Sequence, residues 1–535
     1  MKSLLLSNVN MQPLLARLKP VAAECGGYNS LIADLATAGS AATAPDVTHV
    51  LCISDTDTMM ADALYGAGAP EQCEMFLDAL DGFCRRHPEK TVVANTFCLG
   101  SNRALGFADL THRNSLKGVE TSLNDRLVAL AKANANLLIF DMELLFRRYG
   151  EEALLSGALW YAGRIRYTAR MFDVLGATLR QLLATRGQAC RKVLVLDLDN
   201  TLWGGLVGEL GALGVALGED GSGRAYRDFQ RSLKALQRTG VLLVAASKND
   251  QADVEEILDE NPAMILRRED FAAIAANWEP KAENIVRIAE ELNLGTDSFV
   301  FIDDNPVERD LVRKFLPEVA VPDFPDRVEN LQNWLMREVV PAYFGKYTVT
   351  AEDEAKTEQY RANTARQKLA ASFDLDGYLR ELNIECNIHV DVAGHVARAA
   401  QMTQKTNQFN LTTRRYDVTD LARFVESTDH AVLMLDYRDR FGDEGSVGLA
   451  IVDLAHGRID TFLASCRVIG RKVEQHLLDK AVELCRERGL HKVIGEYVPS
   501  RKNKMVASFY EDHGFKPLWT NSDGAVTYEK SIDAR

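Results

Sequence analysis

The feature that most constrains the fold of this chain is a short apolar run that ends in acidic residues. Val193-Leu194-Val195-Leu196 is followed directly by Asp197, and Asp199 and Thr201 come two and four positions later. A continuous run of branched apolar residues is typical of a strand that is buried on both faces of a parallel sheet. Ligands of such sheets bind beyond the carboxyl ends of the strands. The pattern therefore predicts an α/β fold with Asp197 and Asp199 at a functional edge.

The rest of the chain divides into three blocks, as expected because 535 residues exceed a single hydrophobic core. Residues 1–185 and 191–345 each alternate apolar runs with helical periodicity, which predicts two parallel α/β domains. Residues 370–535 hold more strands and a hairpin pattern at Phe441–Gly445, and predict an α+β domain. Residues 350–368, which lie between the second and third blocks, are rich in charge and predict a solvated helix or tether. Strands are expected at Leu4–Leu6, Val47–Ile53, Thr91–Phe97, Asn136–Phe140, Lys192–Leu196, Val241–Ala246, Ser298–Ile302, Val432–Tyr437, Val447–Val452, Ile459–Ala464 and Lys492–Tyr497.

The composition excludes several kinds of partner. A net charge of −14 disfavours binding to the phosphate backbone of nucleic acids. No stretch approaches the ~18 uncharged apolar residues of a membrane span, and the apolar run at Leu4–Leu6 is too short for us to expect a signal peptide. The nine cysteines are scattered without paired spacing. We therefore expect a cytoplasmic protein with reduced thiols and with neither a nucleic acid nor a membrane as partner.

A second group of polar residues is expected to converge on Asp197 and Asp199. Asp303 and Asp304 end one predicted strand, Ser247 and Lys248 end another, and Lys281 precedes a helical pattern. Clustered carboxylates repel one another unless a cation neutralises them, which predicts a metal. No histidine lies between His112 and His389, and oxygen ligands alone favour Mg²⁺ over zinc or copper. An ordinary strand-end turn is the alternative interpretation of Asp197–Thr201.

The order of these groups resembles the haloacid-dehalogenase superfamily, whose core is a Rossmann-like sheet. The resemblance implies that Asp197 is a nucleophile that becomes an aspartyl-phosphate, and that Asp199 protonates the leaving oxygen and then activates water. It also implies that Ser247, Lys248 and Lys281 bind phosphoryl oxygens. Mg²⁺ would be bound by Asp197, the Asp199 carbonyl and one of Asp303 and Asp304. The short interval between Asp197 and Ser247 predicts a minimal cap, and such an open site could accept a substrate carried on a protein.

Longer matches resemble the FkbH-like branch of that superfamily, and they extend over most of the chain. They are Asp197–Gly205, Gly218–Gly221, Ser247–Asn249, Phe301–Pro306 and Lys405–Tyr416. The resemblance implies loading of a three-carbon unit in polyketide pathways. The glyceryl group of 1,3-bisphosphoglycerate would lose phosphate and be delivered as a thioester to an acyl carrier protein.

The third block resembles GNAT acyltransferases at two segments, Arg467–Lys472 and Asn503–Phe515. In that fold a helix N-terminus cradles pyrophosphate, and splayed strands receive the pantetheine arm of CoA or of a carrier protein. Lys472 departs from the usual Gly or Ala, which puts ordinary use of acetyl-CoA in doubt. The residues expected on the pantetheine and acyl side are Arg467, Gly470, Arg471, Asn503, Tyr510, Asn407 and Asn410.

Two interpretations stay open in this block. Cys466 lies at a predicted strand end beside Arg467, and cationic neighbours lower a thiol pKa; it either carries the glyceryl group transiently or is a small core residue. The polar segment around Asn407 and Asn410 either lines the acyl-side pocket or is a solvated loop.

The first block faintly resembles SGNH hydrolases through Ser7 and Asn95. The region where those enzymes need Asp-x-x-His, Leu159–Arg166, contains no histidine, so a serine nucleophile would lack its base. We therefore expect a non-catalytic platform that docks a carrier protein or covers the Asp197 site. Two other functions remain possible from the sequence: a Mg²⁺-dependent small-molecule phosphatase fused to an N-acyltransferase, or a scaffold whose domains only bind partners.

Overall fold

The computed structural model describes residues 2–61, 70–101, 103, 105–112, 115–187, 190–347, 351–370, 375–465 and 468–532. Two compact units are present: Met1–Cys190 with Glu338–Thr348, and Arg191–Arg337 with Val349–Arg535. They contain two parallel sheets and one mixed sheet, which confirms the predicted α/β multidomain class. None of the described helices has the length and apolar character that crossing a membrane requires.

The first unit is built on a parallel five-stranded sheet with the order β2-β1-β3-β4-β5. Successive residues of its strands face two different hydrophobic clusters: Leu4 and Leu6 join one, and Leu5 joins the other. Because both faces are covered, the strands need no polar alternation. The strands are β1 (Lys2–Ser7), β2 (Ala22–Cys25), β3 (Val47–Ile53), β4 (Thr91–Asn95) and β5 (Leu137–Phe140). The helices are α1 (Gln12–Leu18), α2 (Leu31–Ala36), α3 (Thr56–Met59), α4 (Glu71–Arg86), α5 (Leu116–Ala133), α6 (Met142–Tyr149), α7 (Glu151–Leu154), α8 (Gly157–Gly163) and α9 (Ala169–Gly187).

The second unit begins with a parallel four-stranded sheet in the order β8-β7-β6-β9. The ladder between β6 and β9 continues past the strand ends, because the Asp197 N–H donates to the Ile302 carbonyl at 3.0 Å. The strands are β6 (Val193–Leu196), β7 (Leu242–Ser247), β8 (Phe271–Ala276) and β9 (Phe299–Ile302). The helices are α10 (Val207–Leu210), α11 (Gly221–Gln237), α12 (Gln251–Glu260), α13 (Lys281–Glu291), α14 (Pro306–Phe315) and α15 (Leu331–Trp334). A π-helix spans Leu335–Phe344, and its residues from Glu338 onward belong to the first unit.

The predicted minimal cap is confirmed as a small flap that follows the Asp197 turn. Gly204 and Ala216 form an antiparallel bridge that closes the flap, and α10 lies within it. The chain then enters α11 and returns to the sheet at β7.

The mixed sheet lies in the C-terminal part of this unit and has the order β10-β12-β13-β14-β15-β17-β16, with β11 paired to β14. The parallel strands β14 and β15 pair at Arg458 and Ile494, near the start of both. The strands are β10 (Glu385–Val390), β11 (Phe409–Asn410), β12 (His430–Asp439), β13 (Gly442–Asp453), β14 (Arg458–Ala464), β15 (Lys492–Tyr497), β16 (Lys516–Thr520) and β17 (Val526–Ser531). The helices are α16 (Ala351–Glu354), α17 (Lys356–Ala370), α18 (Leu375–Leu382), α19 (Val396–Lys405), α20 (Val418–Glu426), α21 (Val473–Glu487) and α22 (Phe509–Asp512).

The predicted helical tether is α17, and one of its charged residues is buried rather than solvated. Arg366 donates from Nε and Nη2 to the Asp439 carboxylate at 2.6 and 2.7 Å, and from Nη1 to Glu444. All three side chains are at most 1% exposed. Earlier in the same helix, Tyr360 packs against the core of the four-stranded sheet. The helix is therefore part of both cores.

Candidate functional site

Four polar side chains meet at the carboxyl edge of the four-stranded sheet. Asp197 follows β6, Ser247 ends β7 and Asp303 follows β9, while Lys281 begins α13. Parallel neighbouring strands place their carboxyl ends at one edge, which is why residues so far apart in sequence converge. All four are buried.

Lys281 lies between two carboxylates. Its Nζ is 2.8 Å from Asp197 Oδ1 and 2.6 Å from Asp303 Oδ2. Burial alone would lower the pKa of Lys281, but the two carboxylates raise it by more than burial lowers it. The net shift is upward, and the ammonium stays charged. Lys281 therefore holds the two acids together and neutralises one negative charge.

Ser247 and Asn249 point toward the carboxylates, and the residue between them does not. The Ser247 hydroxyl donates to Asp197 Oδ1 at 2.8 Å, and the Asn249 amide donates to Asp199 Oδ2 at 3.0 Å. Lys248 instead pairs with Glu308 at 2.6 Å. Residues two apart in an extended segment share a side, which explains the alternation. The role predicted for Lys248 in binding phosphate stays a prediction.

Asp199 is held at both carboxylate oxygens. Trp203 Nε1 and the Val207 N–H donate to Oδ1 at 2.8 and 3.1 Å, opposite the Asn249 contact on Oδ2. The turn that allows this passes through Asn200, whose φ of 55° lies in the left-handed region that Asn tolerates. Asn249 and Trp203 were not selected as site residues from the sequence, although both lie within the quoted motifs.

The carboxylates of Asp197, Asp303 and Asp304 can each place an oxygen within 4.8 Å of the others. Burial raises the pKa of Asp197 to about 6 despite the opposing effect of Lys281, and burial also raises the pKa of Asp303 and of Asp304. Three acids facing a single ammonium leave an excess of two negative charges. An all-oxygen set with that excess fits a hard divalent cation such as Mg²⁺.

The residues predicted on the acyl side form two groups in the C-terminal domain. One lies between Cys466 and Arg471, and the other consists of Asn407, Asn410, Asn503 and Tyr510. Cys466 and Arg467 lie outside the described residues. Gly470 has a φ of 81° and open space where a Cβ would stand. Arg471 is buried: its guanidinium lies 5.2 Å from the Tyr437 ring, and Nη2 donates to Asn363 of α17 at 2.7 Å.

The remaining acyl-side residues make internal contacts. The Asn503 amide donates to the carbonyls of Asn410 and Val498 at 2.8 and 2.9 Å. The Asn410 side-chain oxygen accepts from the Thr413 N–H at 2.8 Å. Asn407 accepts from Arg415 at 2.6 Å.

Tyr510 is buried, and burial raises its pKa. Its ring packs on Gly495, where a Cβ would come within 2.4 Å of a ring carbon. Any larger residue at position 495 would therefore displace the ring.

The first unit places Ser7 and Asn95 in structural hydrogen bonds. The Ser7 hydroxyl accepts from the Val9 N–H at 3.2 Å, and the Asn95 side-chain oxygen accepts from the Ser54 N–H at 2.8 Å. Neither residue lines the cavity of about 240 Å³ beyond the ends of β3 and β4. Within the described residues, that cavity is lined by no histidine. The expectation of a non-catalytic first domain stays a prediction.

Known proteins resemble this chain in structure. The N-terminal part of the protein BF1531 from Bacteroides fragilis, which contains a phosphatase domain complexed with Mg, aligns with a TM-score of 0.60 and 25% identity, covering 65% of this chain and 94% of that one. Weaker similarities over 28% of this chain involve the GNAT domain of S. lividans PAT (TM-score 0.23, 20% identity, 90% of that chain) and the ribosomal-protein-S18-alanine N-acetyltransferase from Escherichia coli (TM-score 0.22, 14% identity, 94% of that chain). No protein-family model and no curated protein matches the chain.

Proposed function

We propose that this chain is a Mg²⁺-dependent phosphotransferase of the haloacid-dehalogenase type, joined to a domain for acyl transfer. The observation that carries the proposal is the convergence of Asp197, Ser247, Lys281 and Asp303 within hydrogen-bond distance at one sheet edge. The BF1531 structure, with its Mg-bound phosphatase domain, supports the same chemistry.

The contacts suggest a division of roles at Asp197. Ser247 and Lys281 both contact Oδ1. Within the described residues no hydrogen bond reaches Oδ2, which leaves this oxygen able to attack phosphorus. The P–O bond to the leaving group then breaks as the Asp197–phosphorus bond forms, and the Lys281 ammonium offsets negative charge on the phosphoryl oxygens.

Asp199 is the residue that we assign to proton transfer. Donors on both of its oxygens fix the orientation of the carboxylate beside Asp197. In the proposed reaction Asp199 gives a proton to the leaving oxygen and later takes one from the water that cleaves the aspartyl-phosphate. Asp197, Asp303 and Asp304 would hold Mg²⁺, which would supply charge neutralisation for the phosphoryl group.

The finer proposal concerns the substrate. We propose that the phosphorylated compound is 1,3-bisphosphoglycerate and that its glyceryl group ends as a thioester on an acyl carrier protein, in an FkbH-like reaction. Asp197 would take the phosphoryl group of the C3 ester, whose leaving oxygen receives the proton from Asp199, while the carrier thiolate would attack the C1 carbonyl carbon and displace the C1 phosphate. The motif resemblance supports this, and so does the small flap, because a site without a large cap can admit a substrate borne on another protein.

The experiment is loading of a phosphopantetheinylated carrier protein. The full chain is incubated with 1,3-bisphosphoglycerate, Mg²⁺ and the carrier, and the intact mass of the carrier and the free phosphate are both measured. We expect the carrier to gain one glyceryl group. Asp197→Asn should abolish release of the C3 phosphate, so that the carrier gains a phosphoglyceryl mass instead of a glyceryl mass, whereas the matched variant Asp310→Asn should give the glyceryl mass, because Asp310 is 75% exposed on α14.

Phosphate release without a mass gain on the carrier would refute glyceryl loading but leave the phosphotransferase proposal standing. Unchanged phosphate release in Asp197→Asn would refute the phosphotransferase proposal itself. A small-molecule phosphatase fused to an N-acyltransferase is the function that the first of these results would favour.

A further inference from the structure

The chain fills a gap in its own C-terminal sheet. Strands β14 and β15 pair near their starts, at Arg458 and Ile494. Beyond that point the segment Phe409–Tyr416, called here the inserted segment, lies between them. Its first residues pair antiparallel with β14, Phe409 opposite Ala464 and Asn410 opposite Leu463.

Main-chain bonds join the inserted segment to both sides of the gap. The Leu411 N–H donates to the Phe462 carbonyl of β14 at 3.0 Å. On the other side, the Val498 N–H, just after β15, donates to the Leu411 carbonyl at 2.8 Å. The segment is therefore an internal strand at this point. It pairs with main-chain N–H and C=O groups of β14 that would have no strand partner if β14 and β15 simply diverged.

Side chains fix the inserted segment at its two ends. Phe409 is buried, with its ring centroid 5.4 Å from that of Phe509. Arg414 reaches both strands: its guanidinium is 2.7 Å from the Asp460 carboxylate of β14 and 2.6 Å from the Glu496 carboxylate of β15. Arg414 thus links the two strands across the gap at the far end of the segment.

We propose that the inserted segment competes with a pantetheine arm for this gap, and that Arg414 sets the strength of the competition. An extended ligand carrying amide groups, as a pantetheine arm does, would need the same edge of β14 that Leu411 occupies. Such a ligand binds only when the segment withdraws. Its apparent association constant is therefore its intrinsic one multiplied by the fraction of molecules in which the segment has withdrawn. The inference bears on the acyl-transfer half of the proposed function and is independent of the phosphate chemistry.

The test uses 4′-phosphopantetheine as the probe with the full-length chain, because it is the arm itself and carries no pyrophosphate for Lys472 to hinder. Binding is measured by titration calorimetry, and the protection of the amides in residues 409–416 by hydrogen exchange, in the wild type, Arg414→Met and Arg438→Met. Arg438 is the matched control because it also forms an ion pair on this sheet, with Asp443, but its side chain is 63% exposed. Mg²⁺-dependent phosphate release is measured on each sample, so that a failure of the phosphotransferase proposal is seen separately.

We expect Arg414→Met to bind 4′-phosphopantetheine about tenfold more tightly than the wild type and Arg438→Met. In each of the three proteins that binds the probe, we also expect the probe to speed exchange of the 409–416 amides. Binding that leaves those amides fully protected would overturn the competition, because the ligand would then lie elsewhere. Equal affinity in Arg414→Met and the two other proteins, or binding in none of the three, would overturn it as well.

Discussion

The raised pKa of Asp197 predicts that Mg²⁺ affinity falls steeply in mild acid. Burial raises the pKa of this carboxyl to about 6, although Lys281 acts in the opposite direction. Only the ionised form binds a hard cation well, so a proton at Asp197 competes with the metal. The perturbation is simply a change of pH from about 7 to about 5 in the metal-free chain.

The magnitude follows from the ionised fraction. With a pKa of about 6, Asp197 is about nine-tenths ionised near pH 7 and about one-tenth ionised near pH 5, so the apparent affinity falls about tenfold, or about 1.4 kcal/mol. An aspartate at the ordinary value of 3.8 would lose less than about a tenth of its affinity over the same range. Burial also raises the pKa of Asp303 and Asp304, and any proton they take up makes the fall larger.

The folding stability of the metal-free chain depends on pH in the opposite sense to Mg²⁺ affinity, because the Asp197 contribution to stability falls as the pH rises. A carboxyl whose pKa is raised by folding stabilises the fold when protonated, and this contribution is lost as the pH rises through about 6. Added Mg²⁺ should restore the loss, because it replaces the proton. Thermal unfolding with and without Mg²⁺ should therefore diverge above about pH 6 and converge below it.

Calorimetric titration of Mg²⁺ at constant ionic strength measures the affinity directly. Two buffers with different ionisation enthalpies give the number of protons released, which should be about one-half per Mg²⁺ near pH 6. Ser247→Ala should move the pH midpoint of Mg²⁺ affinity upward, because the Ser247 hydroxyl of the wild type stabilises the ionised form of Asp197. Asp310→Asn should leave that midpoint unchanged. An affinity that changes less than about threefold from pH 7 to pH 5, with no proton release, would show that the reasoning is wrong.

Three further predictions concern single side chains. Lys281→Met should lower release of the C3 phosphate at least about 100-fold. It should also raise the pKa of Asp197 and of Asp303, which Lys281 lowers, so the pH at which Mg²⁺ affinity is half lost moves upward; an unmoved pH would contradict the charge argument. Trp203→Phe keeps an aromatic side chain, although a smaller one at a fully buried position, and removes the donor to Asp199. It should lower kcat about tenfold with little change in KM, measured by steady-state kinetics on protein whose thermal unfolding is checked in parallel. Arg366→Leu removes the guanidinium that pairs with the buried carboxylates of Asp439 and Glu444, although Asp439 keeps bonds from the Tyr437 hydroxyl and the Phe441 N–H. It should cost about 3–5 kcal/mol in denaturant unfolding; a loss below about 1 kcal/mol would contradict the contacts described.

The parts of the fold that were predictable from sequence are those buried on both faces. The strand expected at Val47–Ile53 has those bounds in the structure, and the central strands around Asp197 shift by only a residue. Apolar residues recur there without polar alternation because both faces are covered. The α+β character of the C-terminal domain followed from its hairpin pattern, which is confirmed by β12 and β13.

The strands that were missed lie at sheet edges or carry little apolar bulk. β8 (Phe271–Ala276) is mostly alanine, which gives no strand preference. β16 (Lys516–Thr520) is exposed along its whole length, so its sequence needs no apolar pattern. β11 is only two residues long, and its place is decided by the gap between β14 and β15, which no local pattern reveals.

For the candidate site, the sequence indicated the acids together with Ser247 and Lys281, but not the groups that hold Asp199. Asp197 and Asp303 could be paired from sequence because both directly follow apolar strands. The contacts of Asn249 and Trp203 with Asp199 depend on how the turn after β6 folds over the end of β7. One signal was available: Asn249 is two residues beyond Ser247, and extended residues two apart share a side.

The single ammonium of Lys281 has a consequence for the order in which ligands arrive. Four carboxylates, those of Asp197, Asp199, Asp303 and Asp304, lie around the Lys281 ammonium, while the Arg309 guanidinium contacts the carbonyls of Asp303 and Asp304. A phosphate dianion therefore meets an unfavourable field in the metal-free protein. One divalent cation offsets two of the negative charges, so this charge balance favours binding of the metal before the phosphorylated substrate.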